Sequence, residues 1–328
     1  VSGARPRFAF LVHALSGPHQ RVLGLRHFTP GLALGRRDGT SPYDLGEVAR
    51  VGLRNLVDGV VLDVPMTPEQ MLADQGRALA RMERVVRELQ RTAPVQAVGL
   101  GSLCAVVAGR GSALAERVDV PITTGGAATA WSLLENTRSV LRARPGPVAI
   151  IGARSPVGRA VAALLSADGV PVVVDNKRAA RGLSVEVAAT PEEAAAACPV
   201  VVGAGPTGGT LDPGALQPDA VLVDVAIPAT PSGRVAPGVR VFAGEAVSVP
   251  GSWTRGGWGR LYQVLAGYGP FQVYACLIEP LVMAAQGRKA PYALGRKLDP
   301  DDVARFGEAA QAYGFAPRLA RGWFAARA

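Results

Sequence analysis

Histidine, lysine and cysteine are scarce in this chain of 328 residues, with three of each. His13, His19 and His27 all fall near the start, and no H-E-x-x-H or paired Cys/His spacing occurs, so no metal is expected. Cys104, Cys198 and Cys276 are odd in number and widely spaced. That excludes a disulfide framework and a zinc cluster, and fits a reducing, cytoplasmic setting. There is no uninterrupted apolar run of about 18 residues, so no transmembrane segment is predicted. Aromatic residues make up only 5% of the chain and do not interleave with the basic ones. The net charge of +9 therefore does not read as a nucleic-acid surface, and an acidic protein partner explains it equally well. Lysine occurs only at Lys177, Lys289 and Lys297, so the positive charge is almost entirely arginine. Arg77, Arg81, Arg84 and Arg91 share one face of a predicted helix, next to Glu83 and Glu88.

What is present is an alternation of strand and helix signals, long enough for more than one core. Phe8 to Val12 reads as a first strand and Val60 to Val64 as another. Thr67-Pro68-Glu69-Gln70 then opens a helix predicted to run to about Arg91, with Thr67 as cap and Gln70 completing a capping box. Val95 to Leu100 is a further strand, and Thr123 to Ala130 leads into a helix through Arg142. The chain breaks at Arg144-Pro145-Gly146-Pro147. Apolar runs follow at 148–151, 172–175, 200–202, 221–224 and 239–242, as expected of a parallel sheet covered on both faces. The fold class is thus α/β. We expect an N-terminal substrate-binding domain over 1–143, a Rossmann-like doubly wound NAD(P)-binding domain over 144–247, and a C-terminal helical segment over 248–328. The last begins with a Gly- and Trp-rich loop to Arg260 and ends with a helix starting near Asp299-Pro300.

Gly152-Ala153-Arg154-Ser155-Pro156-Val157-Gly158 lies between a strand and a helix, the context a nucleotide-binding glycine turn requires. Gly152 permits the tight turn, Gly158 close helix packing, and Ser155 with Pro156 caps the helix. Asp175, Asn176, Lys177 and Arg178 end the next strand. An acidic residue there suits a ribose 2′-hydroxyl, whereas Lys177, Arg178 and Arg154 suit a 2′-phosphate; the cations favour NADPH. Val157 in the turn and Ala204 beyond the third strand complete the expected cofactor contacts. Downstream, Tyr274, Leu277, Ile278 and Leu281 form an apolar helical stripe, with Gln272, Cys276, Glu279 and Met283 on another face. Cys276 is accordingly a candidate nucleophile or a small buried hydrophobe, and Pro280 is expected to kink the helix.

The motifs 123–130, 152–158, Asp224-Val225-Ala226-Ile227-Pro228 and Tyr274 to Glu279, in this order, resemble the cyanobacterial-type long-chain acyl-[acyl-carrier-protein] reductases, fatty-aldehyde-forming enzymes. The chain departs from that pattern at Gly126, Ala128 and Pro280. The resemblance implies an NADPH-dependent oxidoreductase that reduces an acyl thioester to an aldehyde. Cys276 takes the acyl group from an acyl carrier protein or acyl-CoA, and hydride then releases the aldehyde. Backbone N–H groups near Thr124 would hold the oxyanion, Glu279 would relay protons and His13 would line the site. The arginine face would dock the acidic carrier. Competing readings are a shikimate-dehydrogenase-like reductase of a small carbonyl compound and a non-catalytic NADPH-binding regulator.

Overall fold

The computed structural model describes residues 7–13, 47–53, 57–64, 66–92, 95–250, 254–255 and 272–320. His19, His27 and most of the Gly- and Trp-rich loop lie outside them. Two six-stranded sheets organise the molecule. The first contains β1 (Arg7–His13), β2 (Glu47–Leu53), β3 (Val57–Val64), β4 (Ala97–Leu100), β5 (Ile122–Thr123) and β13 (Thr254–Arg255), in the order β13-β2-β3-β1-β4-β5. β3, β1, β4 and β5 run parallel, whereas β2 pairs antiparallel with β3 and with β13. The β2 strand and its hairpin with β3 are not among the sequence-based expectations.

The second sheet is entirely parallel, with β6 (Val148–Ile151), β7 (Val172–Val174), β8 (Glu186–Val187), β9 (Val200–Gly203), β10 (Val221–Asp224) and β11 (Arg240–Ala243) in the order β11-β10-β9-β6-β7-β8. Its apolar runs divide by alternation. Val148, Ile150, Val200 and Val202 face one core, while Ala149, Ile151 and Val201 face another. Both faces are covered, which is why these strands carry no polar alternation. A small antiparallel sheet joins β12 (Ala246–Ser248) to β14 (Gln272–Tyr274) and β15 (Ala316–Pro317).

The helices are cut where the local chemistry dictates. Thr67 caps α1 (Pro68–Ala73) through the predicted reciprocal box with Gln70. The expected single helix to Arg91 nonetheless breaks at Asp74. Its N–H closes α1 on the Gln70 carbonyl at 3.1 Å, and its carboxylate accepts from the Arg77 N–H at 2.9 Å, restarting the chain as α2 (Gln75–Thr92). Short helices α3 (Leu103–Val107) and α4 (Ser112–Ala115) follow β4.

The long helix α5 (Gly126–Ala143) and the later α8 (Ala275–Gln286) and α9 (Pro300–Ala312) share one continuous core that reaches both large sheets, from Phe8 and Phe10 to Val202 and Val223. Trp131 of α5 meets Phe306 of α9 edge-on, with ring centroids 5.8 Å apart. Ser132 and Asn136 of α5 both donate to the Gly244 carbonyl, tying the helix to the segment after β11. Two further helices, α6 (Pro156–Ala167) and α7 (Pro191–Ala197), belong to the second sheet. No helix among the described residues is long and apolar enough to cross a membrane.

Candidate functional site

Ser155 caps α6, accepting from the Gly158 N–H at 2.9 Å and donating to the Ala204 carbonyl at 2.6 Å. Ala204 therefore lies beneath the turn, where it anchors Ser155. Gly152 has φ +83, and a Cβ there would come within 2.5 Å of the Gly205 Cα. Only glycine fits both the conformation and the close approach of the loop after β9. A Cβ on Gly158 would lie 2.7 Å from the Gly152 carbonyl oxygen, so this position also closes the helix onto the turn. The Asp175 carboxylate accepts from the Gly152 N–H at 2.8 Å and the Ala153 N–H at 3.2 Å. Its oxygens are engaged by the turn itself instead of standing clear for a ribose. Beside it a cavity of about 620 Å³ is lined by Arg154, Asp175, Asn176, Lys177 and Arg178 together with Ala188 and Ala189. Arg154, Lys177 and Arg178 are exposed, so three cations border this opening. Asn176 accepts from the Arg178 N–H at 2.9 Å and sets the bend that carries them.

The second cluster lies where α8 meets the start of α5. Gly125, at φ +70, sits so close to Cys276 that a Cβ there would stand 2.5 Å from the Cys276 Cα and 2.6 Å from its carbonyl oxygen. That carbonyl is the one Pro280, lacking an N–H, leaves without its i+4 donor. α8 nevertheless continues through Pro280 to Gln286, and the proline ring packs over Gly99 of β4.

The expected polar face of α8 is corrected. Glu279 and Met283 are fully buried, because α8 is wedged between the first sheet and α5. Glu279 accepts from the Thr123 hydroxyl and, at 3.0 Å, from the Ala128 N–H, with further backbone donation from Ala127. The carboxylate thus occupies the start of α5, where N–H groups point and the helix dipole favours an anion. Burial still pushes its pKa up to about 7, against these bonds.

The backbone groups expected to bind an oxyanion are largely committed. Thr124 N–H donates to the Ala293 carbonyl at 3.1 Å, and Gly125 N–H to the Thr123 hydroxyl at 3.3 Å. Cys276 is half-buried, and its thiol is pushed up to about 12, chiefly by burial and then by Glu245 and Glu279. Glu245 had no signal in the sequence, because its approach to Cys276 depends on β12 and β14 pairing. His13 is buried at the end of β1, beside Val64 of β3, and its charge acts on Glu69. Cys104 and Cys198 are fully buried, as their apolar surroundings predict. Among the described residues no His/Cys/Asp/Glu group is arranged to hold a metal.

No protein-family model matches the chain. It is similar to an aminotransferase, PigE of Serratia sp. (strain ATCC 39006), with 29% identity over 279 residues, covering 79% of this chain and 32% of the relative. The chain thus spans about a third of the length of that curated relative.

This likeness corrects the functional expectations. The relative is an aminotransferase, so the resemblance to acyl-carrier-protein reductases, the aldehyde-forming oxidoreductase activity on an acyl thioester and the choice of NADPH are withdrawn. The site agrees at one point: a thiol pushed up to about 12, chiefly by burial, is not an activated acyl acceptor. Amino-group transfer uses pyridoxal phosphate, which enzymes hold as a Schiff base on a lysine. The three lysines, Lys177, Lys289 and Lys297, are all exposed. Lys177 borders the cationic opening, but the one carboxylate there, Asp175, is bound to the turn. These residues do not fit pyridoxal phosphate.

Proposed function

We propose that this chain is a dinucleotide-binding unit that accompanies amino-group transfer and does not itself carry out that transfer. The observation that carries the reading is the second sheet. Numbered from β6, its strands run 3-2-1-4-5-6, the order of doubly wound Rossmann sheets, and the glycine turn follows the first of them. Residues 144–247 form the nucleotide-binding domain, and the first sheet with α8 and α9 forms the part that faces a second ligand. The pyrophosphate meets the start of α6 at Gly152, Arg154, Ser155, Pro156, Val157 and Gly158, with Ala204 supporting Ser155 from below. Arg154, Lys177 and Arg178 hold additional phosphate charge, and Asn176 shapes their bend.

An aminotransferase exchanges an amino group with a carbonyl compound, and Cys276 is the group of this chain that would face such a compound on its way to or from the transferring centre. A thiol that stays protonated is a weak donor toward a carbonyl oxygen. Glu279 positions α5 against α8 by accepting from the Ala128 N–H. The relative is about three times as long as the matched stretch, which leaves room for a separate amino-transferring centre outside it.

Calorimetric titration of the full chain with adenine dinucleotides, and absorbance titration with pyridoxal phosphate, test the reading. Dinucleotide binding that is abolished by Gly152→Val, together with no lysine Schiff-base band, is the expected result. Failure of every dinucleotide to bind, or a stoichiometric Schiff base, would overturn it.

A further inference from the structure

The inward face of α2 is committed to packing. Ala78, Leu79, Met82, Val86 and Leu89 are buried in the core shared with β1, β3 and β4, which fixes the rotation of the helix and leaves its arginines outside. Along the second half of α2 the cations are neutralised: Glu83 pairs with Arg87 at 2.9 Å and with Arg117 at 3.4 Å, and Glu88 pairs with Arg91. The first half differs. Arg77, Arg81 and Arg84 stand at i, i+4 and i+7 and so share one stripe, yet the guanidinium groups of Arg77 and Arg84, both exposed, enter no ion pair among the described residues. Burial, and then the charges of Arg77 and Arg84, hold Arg81 below its ordinary pKa, so the row repels itself. Like charges at this spacing weaken a helix, and within the chain nothing offsets them. Apolar surface adjoins the row. Leu72 of α1, just before Arg77 across the Asp74 break, is 54% exposed, and Val106 of α3 is 41% exposed. They are two of the three large apolar side chains left exposed among the described residues, and α1, α2 and α3 pack against one another on the same side of the first sheet.

We propose that the outer face of α2, together with Leu72 and Val106, docks an acidic amphipathic helix of a partner protein, with carboxylates at i, i+4 and i+7 beside an apolar stripe. Charge complementarity carries the assignment. Guanidinium groups take carboxylates through paired hydrogen bonds, and a row held at helical spacing matches a second row held at the same spacing. The ion pairs steer the approach and set its register, while Leu72 and Val106 cover the apolar stripe. An anionic lipid surface fits less well. It presents mobile phosphates at no fixed spacing, and it holds apolar side chains that stand clear of the fold, whereas Leu72 and Val106 are only about half-exposed. The surface is independent of the nucleotide reading, and its test uses no nucleotide.

The experiment titrates the full chain into a labelled synthetic helical peptide of about 18 residues, with Glu at i, i+4 and i+7 and Leu along the adjoining stripe, and follows fluorescence anisotropy. Saturable one-to-one binding that weakens with added salt is expected. Arg77→Gln combined with Arg84→Gln weakens it about tenfold, the scale of two exposed ion pairs. A peptide of the same composition with its Glu residues spread round the helix binds the unaltered chain more weakly by the same factor. Leu72→Ser weakens binding about fivefold and leaves its salt dependence unchanged, because the lost contact is apolar. The arginine pair is exposed and its removal relieves repulsion, so the thermal midpoint of that variant stays level or rises. No binding of the matched peptide, equal binding of the redistributed one, unchanged affinity in the arginine variant or a lowered thermal midpoint for it would overturn the proposal. So would cosedimentation of the chain with phosphatidylserine vesicles that the arginine variant abolishes, since the face would then belong to a membrane surface.

Discussion

Replacing Gly125 by alanine separates two costs that usually arrive together. At φ +70 any L side chain carries the strain of the left-handed region, about 1–2 kcal/mol. The added methyl would also stand 2.5 Å from the Cys276 Cα and 2.6 Å from its carbonyl oxygen, closer than real side chains approach. Both neighbours are backbone of α8, so relief requires α8 to move away from α5. Overpacking of this kind costs about 1–3 kcal/mol. The sum is about 2–5 kcal/mol. Gly169 supplies the control, because it has φ +79 and nothing within 4 Å of an added methyl, so Gly169→Ala bears the strain alone. Urea unfolding followed by circular dichroism, with unchanged slope and a shifted midpoint, reads both losses. Gly125→Ala is expected to lose about 1–3 kcal/mol more than Gly169→Ala. Equal losses would refute the close docking of Cys276 on the start of α5.

Glu279 links stability to pH. Its carboxyl rises from 4.5 to about 7 on folding, so its contribution is complete below 4.5 and is lost as the pH climbs to about 7. At 1.36 kcal/mol per pH unit the loss is about 3 kcal/mol, and Glu279→Gln should flatten that limb of the stability profile. Asp224, buried and raised to about 6, adds a loss in the same direction that Glu279→Gln leaves in place. Iodoacetamide at pH 8 should modify native Cys276 about a thousandfold more slowly than an ordinary thiol, because three units separate its pKa of about 12 from the usual 9. Rapid alkylation followed by mass spectrometry would contradict that burial. Lys177→Ala combined with Arg178→Ala should weaken a phosphorylated nucleotide by about 1.5–3 kcal/mol per lost charge-assisted bond, measured calorimetrically; unchanged affinity would place the phosphates elsewhere.

Local chemistry was legible where a few adjacent residues decide the outcome. The Thr67–Gln70 box, the Ser155 cap before Pro156 and the apolar strands of the second sheet all stand where their sequence signals put them. The break at Asp74 was hidden because the helical pattern continues across it, and one side chain that caps the next turn decided the issue. The burial of Glu279 could not be read from α8 alone. A carboxylate on a helix ordinarily marks a solvated face, and only the approach of α5 supplies the N–H groups that compensate for its desolvation. Glu245 and Thr123 share that difficulty, since their neighbours come from α8, distant in sequence. The aminotransferase likeness left no trace in local motifs.

The bond from Asp175 to the glycine turn has a consequence for selectivity. Its carboxylate already occupies the Gly152 and Ala153 N–H groups, so the turn carries a tethered anion before any nucleotide arrives. An incoming phosphate that takes over those donors must repel or displace this internal competitor, whose effective concentration is set by the chain itself. Ligands with a single negative charge gain little from such an exchange. On the proposed reading, a multiply charged one would leave Asp175 in place and be held instead by Arg154, Lys177 and Arg178, so the resident carboxylate would screen ligands by charge before the glycine turn reads their shape.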